Sequence, residues 1–127
     1  MAGVTYDTGA LVAAERNDRR MWALHAGFLA EDVAPVVPAP VLAEAWRGGS
    51  RQASLARLLA PCEIEPMTES EARDAGVLAG KAGHDDVVDV TVVDGAIRRR
   101  QAVVTSDGMH IRKIATAAGV QLRIEYV

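Results

Sequence analysis

Two short apolar runs, Val4-Thr5-Tyr6 and Ala102-Val103-Val104-Thr105-Ser106, each lead straight into an aspartate, Asp7 and Asp107. Runs of this length and composition read as buried strands bounded by turn or helix-start residues. Two further acids, Glu44 and Asp89, lie inside Ala- and Val-rich segments that read as helices. A carboxylate withdrawn from water without a partner is costly, and no run of Lys or Arg lies beside any of the four to neutralise it. The economical explanation is a divalent cation held by oxygen ligands. That makes the chain a candidate metal-dependent hydrolase of phosphate esters.

The rest of the chain supplies a frame for these acids. After a first strand over residues 3–7, helices are expected from about Gly9 to Arg16 and, capped by Asp18, on to about Ala30. In the second of these, Met21, Leu24 and Phe28 recur at helical spacing and should face the core. Val33 to Pro38 reads as a short strand, and Pro40 suits the first turn of a helix running to about Arg47 before Gly48-Gly49. Ser50 caps a helix to about Leu59, and Pro61 prevents its continuation. Residues 63–67 form a weak strand whose Pro66 marks it as an edge. Thr68-Glu69-Ser70-Glu71 is a capping-box pattern opening a helix to about Lys81. A long helix from about Asp86 to Arg100, a strand over 102–106, a helix from Gly108 to Ala118 and a last strand over 121–126 complete the order. Strands alternating with helices predict an α/β fold, a three-layer sandwich around a central, mostly parallel sheet. No repeat or linker interrupts it, so residues 1–127 are expected to form one domain.

In open α/β sheets ligands bind beyond the carboxyl ends of the strands, where the strand order reverses. Asp7 and Asp107 meet there if their strands are neighbours. Glu44 belongs to the helix after the Val33–Pro38 strand, and Asp89 is one turn into the long helix, both near the same rim. On that long helix, at about 100° per residue, Asp85 and Asp86 fall within about 60° of Asp89, and Asp94 falls roughly 140° away. Asp94 should therefore face elsewhere. Asp85 and Asp86 fit helix capping and dipole complementation as well as they fit a supporting role for Asp86 at the cation.

Composition narrows the field. The net charge is −3, unusual for a protein whose whole surface grips nucleic acid, yet compatible with a local basic patch. A single cysteine, Cys62, excludes an intrachain disulfide and points to a cytoplasmic address. No stretch approaches the ~18 apolar residues of a membrane span, and the N-terminus lacks a signal pattern. Cys62 has none of His25, His84 or His110 near it in sequence, so a buried structural thiol is favoured over a nucleophile. The three histidines have no zinc spacing, and Gly76, Gly80 and Gly83 match neither a dinucleotide fingerprint nor a phosphate loop. Arg98-Arg99-Arg100 reads either as an RNA phosphate contact or, slightly favoured, as a solvated helix end that satisfies the dipole. With five aromatic residues, no base-stacking platform is evident, and Trp22 and Trp46 read as packing or interface residues.

Tyr6-Asp7-Thr8-Gly9-Ala10-Leu11 is similar to the opening of PIN-domain ribonucleases, in which a strand ends in Asp followed by Thr or Ser. Leu42-Ala43-Glu44 resembles that family's helical Glu. Asp89-Val90-Thr91-Val92-Val93 followed by Val103-Val104-Thr105-Ser106-Asp107 resembles its second half. Order and spacing match over essentially the whole chain, and the length looks most like the VapC toxins of bacterial toxin–antitoxin pairs. The chain departs from the pattern at Asp94, where a small or apolar residue is more usual, and in its low net basicity. The resemblance implies a metal-dependent endoribonuclease inhibited by a small antitoxin protein, and a homodimer, for which Trp22 and Trp46 are available as interface residues.

Oxygen ligands without His or Cys favour Mg²⁺ or Mn²⁺ over Zn²⁺. Asp7 and Asp89 are the expected principal ligands, Asp107 and Glu44 complete the shell directly or through water, and Glu44 is a candidate for positioning the nucleophile. Thr8, Thr105 and Ser106 offer either supporting hydrogen bonds or turn and cap roles. Two rivals remain. Another metal-dependent phosphohydrolase of the phosphatase type would need a second Asp two residues after Asp7, where Gly9 stands. A catalytically silent PIN-like binding module would keep the fold without the reaction.

Overall fold

The computed structural model describes residues 3–127. Five short strands form one sheet: β1 (Val4–Tyr6), β2 (Val36–Pro38), β3 (Glu63–Glu65), β4 (Ala102–Thr105) and β5 (Ile124–Tyr126). Their order across the sheet is β3-β2-β1-β4-β5, and every pairing is parallel. The expected three-layer α/β architecture is the observed one. Parallel neighbours need crossovers, and seven helices supply them: α1 (Thr8–Glu15), α2 (Arg19–Ala30), α3 (Ala39–Ala45), α4 (Ala53–Leu59), α5 (Glu69–Ala82), α6 (Val87–Arg99) and α7 (Gly108–Ala117). Helix α1 packs against α2, α3 and α4, whereas α5, α6 and α7 pack on one another. The chain winds from β1 toward β3, then crosses back to β4 and β5. Right-handed crossovers put the two helix groups on opposite faces of the sheet.

The central strands are buried throughout, as strands covered on both faces must be. Val4 pairs with Ala102, Thr5 with Val103 and Tyr6 with Val104, while Thr5 pairs with Val36 on the other side. Met21 and Phe28 enter the core as expected, with Leu24 packed against it. Trp22 is also turned inward: its indole N–H donates to the Ala14 carbonyl at 3.0 Å, and Arg57 lies over its ring. It is therefore a packing residue. Trp46, by contrast, is 40% exposed. The weak third strand is the expected edge, although it stops at Glu65, before Pro66.

Helix ends follow their local chemistry. Thr68 and Glu71 form the reciprocal capping box, with the Thr68 hydroxyl accepting from the Glu71 N–H at 3.1 Å. Ser50 opens a single 3-10 turn rather than α4 itself, and the Gln52 carboxamide oxygen accepts from the Arg47 and Gly48 N–H groups there. Asp86 is the cap of α6: its carboxylate accepts from the N–H groups of Val88 and Asp89. Cys62 donates to the Leu58 carbonyl, and burial pushes its thiol up to about 12, which leaves it inert.

The arginine run has a structural partner. Arg98 and Arg99 both reach Glu65 at the end of β3, and Arg98 also faces Glu71. Arg99 donates in addition to the Thr5 hydroxyl and to Gln101. Two of the three arginines thus tie α6 to the far edge of the sheet, neither a solvated helix end nor a free phosphate contact. Arg99→Gln should lower unfolding stability by about 2 kcal/mol, less than the ~3–5 kcal/mol of a fully buried pair, because Glu65 keeps some solvent contact. Urea denaturation measures this, and an unchanged midpoint would show that the pair contributes nothing.

Candidate active site

The strand order reverses between β1 and β4, and both leading aspartates stand at that point. Asp7 follows β1 directly and its N–H donates to the Val104 carbonyl of β4. Asp107 lies two residues beyond β4 and caps α7. Gly9 brings the two loops together: a Cβ there would overlap the Ser106 side chain and come within 3.2 Å of the Ser106 nitrogen. The third acid, Asp89, comes from the first turn of α6, which packs against β1 and β4.

Asp7 is 5% exposed, and its carboxylate caps α1 by accepting from the Ala10 N–H at 2.9 Å. Burial is the chief reason its carboxyl is pushed up to about 6. The Thr105 and Ala10 hydrogen bonds pull it down, and the charges of Asp89 and Asp107 push it up again. Asp7 therefore feels the charge of both other aspartates. Thr105, fully buried, serves two of the three: its hydroxyl helps lower the Asp7 carboxyl and accepts from the Asp107 N–H at 2.8 Å.

Asp89 is half-buried, and burial raises its carboxyl while the neighbouring His84 opposes the rise. His84 Nε2 lies 3.1 Å from an Asp89 oxygen, and His110 Nδ1 lies 2.5 Å from an Asp107 oxygen. The two imidazoles are themselves 5.2 Å apart between centroids. These histidines are the residues that sequence spacing missed. His84 precedes Asp89 by five positions and His110 follows Asp107 by three, so neither makes a recognisable metal motif. The only available signal was proximity to each acid across a helix start.

Glu44 stands apart. It is exposed on α3 and makes no hydrogen bond or ion pair to the three aspartates. Its helix nevertheless packs against α1 and α6. Asp94 faces away from the cluster, as its helical angle requires. It is half-buried, and the charges acting on it are those of Arg98, Asp74, Glu71 and Arg99. Asp85 is exposed.

Among the described residues, no three His, Cys, Asp or Glu side chains already converge as a ligand shell. Each acid is held by a local donor instead, which is how like charges are accommodated without a counter-ion. The residues still fit a hard divalent cation. Asp7, Asp89 and Asp107 supply hard oxygen donors, and the buried Thr8 hydroxyl, next in sequence to Asp7, has no hydrogen-bond partner.

The family model of the PIN domain matches residues 4–116. The chain belongs to the PIN-domain family. PIN domains are generally nucleases, and they typically use divalent metals, the chemistry this donor set suits. Solved structures share the fold at low sequence identity. A chain of VapBC2 from Rickettsia felis, solved on a fragment of its promoter DNA, is 18% identical with a TM-score of 0.73, covering 98% of both chains. PAE2754 from Pyrobaculum aerophilum is 14% identical with a TM-score of 0.65, over 97% of this chain and 83% of that one. A toxin–antitoxin complex from Klebsiella pneumoniae aligns at 16% identity and a TM-score of 0.63, over 85% of this chain and 89% of that one. No curated protein matches the sequence at a significant level. Among the described residues, no helix is long and apolar enough to cross a membrane.

Proposed function

We propose that this PIN-domain protein is a Mg²⁺- or Mn²⁺-dependent endoribonuclease and the toxin of a type II toxin–antitoxin pair. The observation that carries the reading is that Asp7 and Asp107 follow the two strands flanking the switch point, with the charges of Asp107 and of Asp89 on α6 both raising the cost of charge on Asp7. These three carboxylates are the proposed metal ligands. A divalent ion bound there would activate water for in-line attack at phosphorus and stabilise the leaving oxygen. The Thr105 hydroxyl accepts from the Asp107 N–H and lowers the Asp7 carboxyl, so one residue of β4 serves both loops. His84 orients Asp89 and His110 orients Asp107, each through a single ring nitrogen. Glu44 is proposed to complete the set through water, positioning the nucleophile from α3.

The toxin reading draws on the fold relatives that are toxin–antitoxin complexes. It also draws on an open apolar groove lined by Leu42, Trp46, Leu59 and Ile64. A small antitoxin with an amphipathic segment suits such a groove. A homodimer is proposed by the same resemblance.

RNA incubated with the purified protein should be cut when Mg²⁺ or Mn²⁺ is added, and cutting should stop with EDTA. Cleavage that is indifferent to EDTA would remove the metal mechanism. No cleavage with either ion would leave the silent binding module as the better account.

A further inference from the structure

The sequence offers no evident stacking platform, but in the fold an exposed aromatic side chain stands at the end of β5, beside the strand that leads to Asp107. Tyr126 ends β5 opposite Thr105, so it stands on the same rim as Asp107. Its ring lies over Gly108, the residue after Asp107, in the space that a Cβ at 108 would occupy. Glycine at this position is what lets the ring approach the start of α7. Tyr126 is nonetheless 46% exposed, so part of its ring remains open to solvent.

Two arginines hold this tyrosine. Arg112 donates to the Tyr126 hydroxyl at 2.7 Å, and Arg20 donates to the Tyr126 carbonyl. Both are exposed, and among the described residues neither makes an ion pair. This is the opposite of Arg98 and Arg99, whose charge is spent on Glu65. Free guanidinium charge therefore sits at the rim of the site, on a protein whose net charge is −3. An exposed ring flanked by unpaired cations suits a nucleobase attached to a phosphate backbone.

We infer that Tyr126, Arg112 and Arg20 form a nucleotide subsite, with the Tyr126 ring stacking an unpaired base next to the scissile phosphate and the arginines meeting backbone phosphates. The inference rests on the ribonuclease reading and assigns where its substrate is held. It relocates the electrostatic contact from the arginine run of α6 to the β5–α7 rim. Tyr126 is a substrate-binding residue here, and it takes no part in bond breaking.

The test is equilibrium binding of a fluorescein-labelled single-stranded RNA 12-mer to the full chain in EDTA, read by anisotropy at several salt concentrations. Tyr126→Ala should weaken binding by at least about fivefold, whereas Tyr126→Phe, which keeps the ring, should stay within about threefold. Arg112→Gln should lower the salt slope by about one phosphate contact. Arg98→Gln should leave that slope unchanged. Circular dichroism and light scattering on each variant separate this from misfolding or assembly. Equal affinity for wild type and Tyr126→Ala overturns the subsite while leaving metal-dependent cleavage to stand. A Tyr126→Ala variant that changes oligomeric state in step with affinity also overturns it, because the ring is then an interface between copies. Ring-dependent RNA binding in a protein that never cleaves supports the subsite and removes the nuclease reading.

Discussion

Asp7→Asn and Asp89→Asn should each lower metal-dependent RNA cleavage by about 100-fold or more, with the fold intact. Each substitution removes one negative charge and one oxygen ligand at nearly constant volume. Asp107→Asn should act in the same direction, with a smaller effect where its oxygen serves through water. The control is on the same helix as Asp89. Asp94 lies five residues further along α6, and its electrostatic neighbours are Arg98, Asp74 and Glu71. Asp94→Asn should leave cleavage nearly unchanged. Initial rates at fixed Mn²⁺ compare the variants directly. Loss of activity in Asp94→Asn with retention in Asp89→Asn would mean that the other face of α6 carries the chemistry.

The same substitution at Asp7 should stabilise the metal-free protein, and by an amount that depends on pH. Burial raises the Asp7 carboxyl from 3.8 to about 6, which corresponds to about 3 kcal/mol of penalty on the charged form. Below about pH 3.8 the group is protonated in both the folded and the unfolded chain, and no penalty arises. Between 3.8 and about 6 the unfolded chain releases its proton while the folded chain keeps it, so stability falls as pH rises. Above about 6 the folded protein carries the full cost. Asn retains the cap on Ala10 and carries no charge at any pH. Melting temperatures in EDTA should therefore be equal for wild type and Asp7→Asn near pH 4, and should diverge in favour of the variant toward pH 7. A gap independent of pH would show that Asp7 is not held as a strained charge.

The sheet was legible because its strands announce themselves. Val4–Tyr6 and Ala102–Thr105 are uninterrupted apolar runs, and burial on both faces is the only structure that suits them. Their adjacency was a condition the sequence left open, and the β1–β4 pairing meets it. The angular separation of Asp89 and Asp94 was equally legible, since helical periodicity is local. What escaped was everything set by contacts between distant segments. Glu65 and Arg99 are 34 positions apart, so their ion pair has no local sequence signal. The two histidines came together only when α6 and α7 packed and brought His84 against His110. Trp22 and Trp46 look alike in sequence, yet the carbonyl of Ala14 captures one and the other stays 40% exposed. Glu44 is the converse case, a residue whose motif is clear and whose side chain stays outside the cluster.

The central claim is that Asp7, Asp89 and Asp107 share one divalent cation. Calorimetric titration of Mn²⁺ into the metal-free protein tests it without relying on RNA. Binding is predicted for wild type and for Asp94→Asn, and it should be strongly weakened in Asp7→Asn, Asp89→Asn and Asp107→Asn. Undiminished Mn²⁺ binding in those three variants, or no binding by wild type, would contradict it.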